Sequence, residues 1–170
     1  MQPFVPGTRA NTVSTRMTGA ETRIVRECAA ETLRVLNGDH VGRISESETR
    51  ARERLFPPGS QGDSEASTEF RRFTHDRLVH EKSTDVRTLV QTLPVCDERA
   101  VVEICLNRQE TDAWLKALTS LRLVLASSLS MTEESHRGNG DFLSLALYDW
   151  LTGVQQSLID VLDNEPLTSA

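Results

Sequence analysis

The sequence predicts a mainly α-helical fold, a helical bundle with a small two-stranded antiparallel sheet formed by residues near 11–17 and 100–106. Three observations lead to this prediction. Two long segments, 114–129 and 141–162, repeat apolar residues at helical spacing. A strand pattern, a capping sequence and a helix pattern follow one another twice along the chain. The length of 170 residues is that of one ordinary domain with its own core.

The N-terminal segment supplies the first strand. Residues 1–10 are predicted to be an irregular lead-in, because Pro3 and Pro6 remove backbone donors and resist both helix and sheet. Residues 11–17 then alternate in polarity and place Val13 and Met17 on the same side. This alternation predicts a short strand.

The first helix has clear start and stop signals. Thr18 and Glu21 have the spacing of a capping box, in which a hydroxyl and a carboxylate satisfy free N–H groups at a helix start. The helix is predicted to continue to Leu36 and to end at Asn37 and Gly38, where glycine favours a left-handed C-terminal cap.

The same unit returns in the second half of the chain. Residues 102–106 alternate as a strand, and Asn107 to Glu110 form a second cap of the same type. An isolated strand cannot satisfy its own backbone groups, so we expect the two strands to pair with each other. The helix that follows carries an apolar stripe of Trp114, Leu118, Leu121, Leu125 and Leu129.

The remaining elements are helices. A short helix is predicted over 45–55 and a longer one over 65–93, and prolines follow both. The residues from 11 to 162 are predicted to form a single helical regulatory domain, with a frayed tail over 163–170. The last helix is predicted to bury one seam, composed of Leu143, Leu147, Leu151, Val154, Leu158 and Leu162.

The cysteines are the first candidate site. The chain has three, with no pair at the two-residue spacing typical of zinc sites, which favours free thiols in a reducing compartment. Cys28 lies on the apolar stripe of the first helix and is predicted to pack in the core. Cys96 and Cys105 are candidate redox thiols. A bond between them requires the chain to fold back, which suits a switch; the alternative is two ordinary, partly buried thiols.

A cluster of basic residues is the second candidate. The net charge of −6 argues against a surface built to neutralise phosphates. Residues 1–26 nevertheless contain a single acid against four arginines. They form a candidate contact arm for DNA or an acidic partner, and the alternative is an ordinary solvated terminus. The four arginines are Arg9, Arg16, Arg23 and Arg26.

Enzymatic signatures do not occur in the sequence. We find no Gly-x-Ser-x-Gly motif, phosphate-binding loop, Rossmann fingerprint or paired metal ligands. We therefore expect a non-enzymatic protein without a cofactor or a metal. The sequence also lacks an export segment and a long apolar run, so the protein is predicted to be cytoplasmic, without a membrane partner.

Three segments resemble the actinobacterial AosR-like family of oxidative-stress transcription regulators, formerly a domain of unknown function. The likeness covers residues from about 11 to 162. The first segment is Glu69 to Arg72, the second lies in the helix of Trp114, and the third surrounds Tyr148. The residues that carry the family core motif are Phe70, Arg71, Trp114, Leu118, Arg122, Tyr148 and Trp150.

The resemblance implies a redox-responsive transcription regulator of oxidative-stress and sulfur or cysteine metabolism genes. Such a regulator acts with a stress sigma factor or RNA polymerase, and direct DNA contact and a homo-oligomeric state remain open. The competing hypothesis is a non-sensing helical scaffold or adaptor, because long apolar stripes can leave one face for a protein contact.

Overall fold

The computed structural model describes residues 1–38, 44–57, 65–129 and 139–164, without the side chains of 65–73 and 139–141. The fold is mainly α-helical with a small antiparallel sheet, as predicted. The elements in these ranges are β1 Val5–Pro6, β2 Thr12–Thr18, α1 Gly19–Asn37, α2 Glu46–Leu55, α3 Glu65–Thr92, β3 Val101–Asn107, α4 Arg108–Leu129 and α5 Asn139–Asn164.

The sheet has the strand order β1-β2-β3, with antiparallel neighbours. The predicted pairing of β2 with β3 is confirmed and places Ser14 opposite Cys105. The third strand, β1, lies within the segment predicted to be irregular. Pro6 is compatible with this edge position, because β2 bonds the lead-in through Thr12 and Arg16, whose carbonyls accept from Gly7 and Gln2. Pro6 lies opposite Val13, whose backbone groups bond β3 and not β1. The N–H that Pro6 lacks therefore has no acceptor to bond on β2.

Both predicted capping boxes are present. The Thr18 hydroxyl accepts from the Glu21 N–H at 3.2 Å, and the Glu21 carboxylate accepts from the Thr18 N–H at 2.8 Å. Asn107 and Glu110 repeat the exchange at the start of α4, at 3.0 and 2.8 Å. Gly38 ends α1 with φ of 71°, in the left-handed region that favours glycine.

The core lies between the sheet and the helices, with Trp114 at its centre. The Trp114 ring is fully buried and meets Phe4 edge-on, with ring centres 5.8 Å apart. Its Nε1 donates to the Thr92 hydroxyl at 2.8 Å, so the polar atom of this buried side chain is satisfied. This contact joins α4 to the end of α3.

The predicted seam of α5 is only partly correct. Leu151, Val154 and Leu158 are buried, but Leu143 is 69% exposed, and Val161, which is not part of the predicted seam, is buried. Helical periodicity identifies residues that share a face, but it does not show how far the neighbouring helix extends. α5 continues to Asn164 and so includes the first two residues of the predicted tail, whose remaining residues, 165–170, lie outside the described part.

Within the described ranges, none of the helices combines the length and the apolar character needed to cross a bilayer.

Candidate functional site

A groove of about 420 Å³ runs between α1 and residues 90–98, which comprise the end of α3 and the segment that follows it. Its walls are mainly apolar. Leu33 lies on the α1 side and Val90, Pro94 and Val95 on the other, and the half-buried Cys96 is part of the lining. A volume in this range is typical of small-molecule pockets. The groove therefore combines the size of a small-molecule pocket with a nucleophilic side chain, the Cys96 thiol.

The turn that carries Cys96 packs directly on the start of α1. The Gly19 N–H donates to the carbonyl of Ala100 at 2.9 Å, and the Ala20 N–H donates to that of Glu98 at 3.0 Å. These bonds satisfy donors that a helix start leaves free. A Cβ at Gly19 would lie 2.0 Å from the Asp97 carbonyl oxygen, so only glycine allows this approach. The position of Cys96 thus depends on the absence of a side chain at Gly19.

Two arginines of the predicted contact arm hold the groove together. Arg26 Nη1 donates to the carbonyls of Val90 and Leu93, at 3.0 and 2.9 Å, and so binds the C-terminal end of α3. Arg23 Nη1 pairs with Glu98 at 2.5 Å. Both guanidinium groups therefore have structural partners.

The other two arginines lie elsewhere. Arg16 is exposed on β2, opposite Glu103 of β3, and Arg9 lies in the connection between β1 and β2. The structure thus divides the four arginines between the sheet and the groove.

The two candidate redox thiols are not brought within bonding distance. Cys105 is exposed and lies four residues along β3 from Val101, or roughly 13 Å at the usual rise of a strand. Cys96 lies beyond the opposite end of β3, with its carbonyl beside Gly19. A disulfide needs Cα atoms within about 7 Å. A bond between these thiols therefore requires the turn or the strand to move.

Cys28 has a different environment from the other two thiols. It is half-buried and packs against the hydrophobic core, as predicted. Burial, and secondarily the charge of Glu27, raises the pKa of the Cys28 thiol. Because the thiolate is the reactive form, this environment disfavours reaction at Cys28.

The residues of the family core motif have mainly architectural positions. Trp114 and Leu118 are fully buried, and Trp150 packs against the same core. Arg122 donates from Nη1 to the Gln155 Oε1 at 2.7 Å and from Nη2 to the Tyr148 hydroxyl at 3.1 Å. These contacts join α4 to α5.

The side chains of Phe70 and Arg71 lie outside the described residues, although their backbone belongs to α3. Among the side chains that are described, no group of three His, Cys, Asp or Glu residues is placed to hold a metal ion.

Sequence reasoning did not find the groove. Its walls come from α1 and from residues 90–98, which are far apart in sequence and have no common pattern. The Arg26 cap was also missed, because an arginine near a chain end looks the same whether it contacts solvent or a distant helix end. The one local signal was Gly19, which the capping interpretation treated as an ordinary position in the first turn.

These features define a small, mainly α-helical domain in which a half-buried thiol lines an apolar groove. The chain belongs to the family described as Domain of unknown function (DUF2017), whose profile matches residues 1–162. No curated protein and no solved structure matches the chain.

Proposed function

We propose that this protein is a redox-responsive transcription regulator in the cytoplasm. It controls oxidative-stress and sulfur or cysteine metabolism genes through a stress sigma factor or RNA polymerase. The proposal draws its biological part from the resemblance to the AosR-like family. The structural observation that supports redox sensing is the position of Cys96 in the groove, on a turn that also caps α1.

Oxidation of Cys96 would displace the turn that carries it from the start of α1. A sulfenic acid is larger and more polar than the thiol, and it would sit against the apolar wall made by Val90 and Pro94. The turn is held to α1 by the backbone bond from Ala20 to Glu98 and by the Arg23–Glu98 ion pair. Displacing the turn would break both contacts and expose the start of α1 to a partner.

The test compares thiol chemistry with partner binding. Mass spectrometry after peroxide treatment should show an oxidised Cys96, with or without a bond to Cys105. Oxidation should also change the affinity for RNA polymerase holoenzyme. Cys96→Ser should abolish this response, whereas Cys28→Ser should retain it. A protein whose holoenzyme affinity is the same before and after oxidation would not be the regulator proposed here.

The second candidate function is a non-sensing adaptor. A specific observation favours it, namely the exposure of three apolar side chains near the start of α5, where Phe142 is 74%, Leu143 69% and Leu145 51% exposed. An adaptor should bind its protein partner equally well in the reduced and oxidised states. Gel shifts with promoter DNA at several salt concentrations further separate the two functions. Direct DNA binding by a regulator must weaken steeply as salt rises, because it is driven by phosphate contacts, whereas an adaptor should not bind the DNA.

A further inference from the structure

The outer edge of β3 has a row of backbone groups that the sheet leaves unused. In an antiparallel pair, the N–H and C=O of one residue point to the same side, and successive residues alternate. Thr12 and Arg16 direct their carbonyls towards β1, so Val13, Thr15 and Met17 must bond β3. Their partners in the register are Leu106, Ile104 and Val102. Val101, Glu103 and Cys105 therefore direct their N–H and C=O groups away from β2.

These three residues present an open edge. No donor or acceptor from the described chain meets their outward N–H and C=O groups, and their side chains are exposed. Asn107 ends the row, because its N–H already donates to the Glu110 carboxylate at 2.8 Å. Proteins usually protect such edges with proline, lysine or a bulge. β3 has none of these, and its one charged side chain is Glu103.

The side chains along this edge indicate what can pair with it. Val101, Glu103 and Cys105 project from the same face of the sheet, because their positions differ by two. A strand added beside them would place one side chain opposite Glu103 and two more opposite Val101 and Cys105. Glu103 already has Arg16 of β2 opposite it on the same face, and the open edge leaves its other side free. A cation is favoured opposite Glu103 on that free side, and apolar side chains are favoured at the two flanking positions.

A second copy of the chain fits this edge poorly. The antiparallel self-pairing that uses all three residues places Val101 opposite the second copy's Cys105, and Glu103 opposite the second copy's Glu103. Like charges directly opposite each other destabilise a strand pair. The net charge of −6 adds to the repulsion between copies and favours a basic partner.

We propose that the outer edge of β3 is a docking site for an extended basic segment of another protein, which adds to the sheet as a fourth strand. The segment has a lysine or arginine opposite Glu103 and an apolar residue two positions to either side. Binding of this kind takes its affinity from main-chain hydrogen bonds and its specificity from alternate side chains. The proposal does not depend on thiol oxidation and holds equally for a regulator and for an adaptor.

The experiment uses amide exchange measured by NMR on the reduced full-length chain, with the peptide acetyl-TVTKTVT-amide as the probe. Without peptide, the amides of Val101, Glu103 and Cys105 should exchange fast, while the alternate β3 amides bonded to β2 exchange slowly. A saturating concentration of peptide should slow exchange at these three residues by about tenfold or more. N-methylation of the peptide's lysine and valines should abolish protection, whereas N-methylation of its two inner threonines, whose amides face away, should retain it.

Charge reversal tests the assigned chemistry. The peptide with glutamate in place of lysine should bind about two- to fivefold more weakly, the range expected for one cross-strand charge pair. Glu103→Lys should reverse this preference, and its unfolding midpoint serves as the folding control. Absence of protection, or equal affinity for both peptides, would overturn the proposal. Slow exchange of the three amides without peptide, together with a dimer in sedimentation, would instead show that a second copy occupies the edge.

Discussion

The guanidinium group of Arg122 stacks on Tyr148 and also bonds its hydroxyl. The guanidinium carbon lies 4.9 Å from the ring centre, and Nη2 donates to the hydroxyl at 3.1 Å. No carboxylate pairs with this half-buried cation in the described chain, and its Nε has no partner. The positive charge is therefore stabilised by an aromatic ring and by neutral oxygen atoms, at the contact between α4 and α5.

Arg122→Met should lower the free energy of unfolding by about 1–2 kcal/mol, because it removes hydrogen bonds from a charged group and the contact with Tyr148. Relief of the desolvated charge offsets part of this loss. Arg122→Lys should also destabilise, since an ammonium cannot reproduce the two-pronged contact with Gln155 and Tyr148. Urea unfolding of the variants provides the measurement.

Arg77→Met is the matched control for these variants. Arg77 is 74% exposed and pairs with Glu81 on the surface of α3, so its loss should change stability by less than about 0.5 kcal/mol. If the Arg122 and Arg77 variants unfold at the same urea concentration, the Arg122 contacts between α4 and α5 do not stabilise the fold by the predicted amount.

Two glycines should respond to alanine in opposite directions. Gly19→Ala places a Cβ 2.0 Å from the Asp97 carbonyl oxygen, a backbone atom, so the turn of Cys96 must move away from α1. We expect a loss of about 1–3 kcal/mol, as for other overpacked positions. Gly153→Ala, on α5, meets nothing within 4 Å and should stabilise by about 0.5–1 kcal/mol through lower chain entropy.

Thermal unfolding measures both glycine variants. Gly19→Ala should also speed alkylation of Cys96, because the displaced turn opens the groove, while Gly153→Ala leaves that rate unchanged. If Gly19→Ala is as stable as the original protein, the turn that carries Cys96 can accommodate a Cβ at position 19 without cost, contrary to this prediction.

The sequence predicted correctly those features of the fold that are encoded by residues close together in the chain. The capping boxes at Thr18 and Asn107 depend on residues three positions apart, and the β2–β3 pairing follows from two alternating segments with no other partner. The contact of Arg26 with the end of α3 depends on a meeting of distant segments. No local pattern contains that information, so the groove became apparent only from the fold.

Asp85 should make stability depend on pH in an unusual direction. Burial raises the pKa of its carboxyl group and Glu81 adds to the shift, although Lys116 and Lys82 oppose it. Because the pKa is higher in the folded state, folding takes up protons as the pH falls through it. The ionised Asp85 carboxylate therefore lowers the free energy of unfolding at neutral pH, and protonation of this group on acidification restores it.

Asp85→Asn should consequently increase stability at pH 7, by less than about 1 kcal/mol because the group is partly solvated. The gain should fade as the pH approaches the ordinary carboxyl range near 4. Urea unfolding at pH 7 and pH 4 measures the difference. Asp76→Asn, exposed on the same helix, is the control and should have little effect at either pH. A gain from Asp85→Asn that is equal at both pH values would rule out this explanation.

The three thiols should react with iodoacetamide in the order of their exposure. Cys105 is exposed on β3, Cys96 is half-buried in the open groove, and Cys28 packs against the core with a raised pKa. At pH 7.5 we expect Cys105 to react at least about tenfold faster than Cys28, because alkylation requires an accessible thiolate. Timed alkylation followed by peptide mass spectrometry gives each rate. Unfolding in urea removes the differences in burial and should bring the three rates together, so a slow Cys28 in urea, or a fast one in the folded protein, would contradict this assignment.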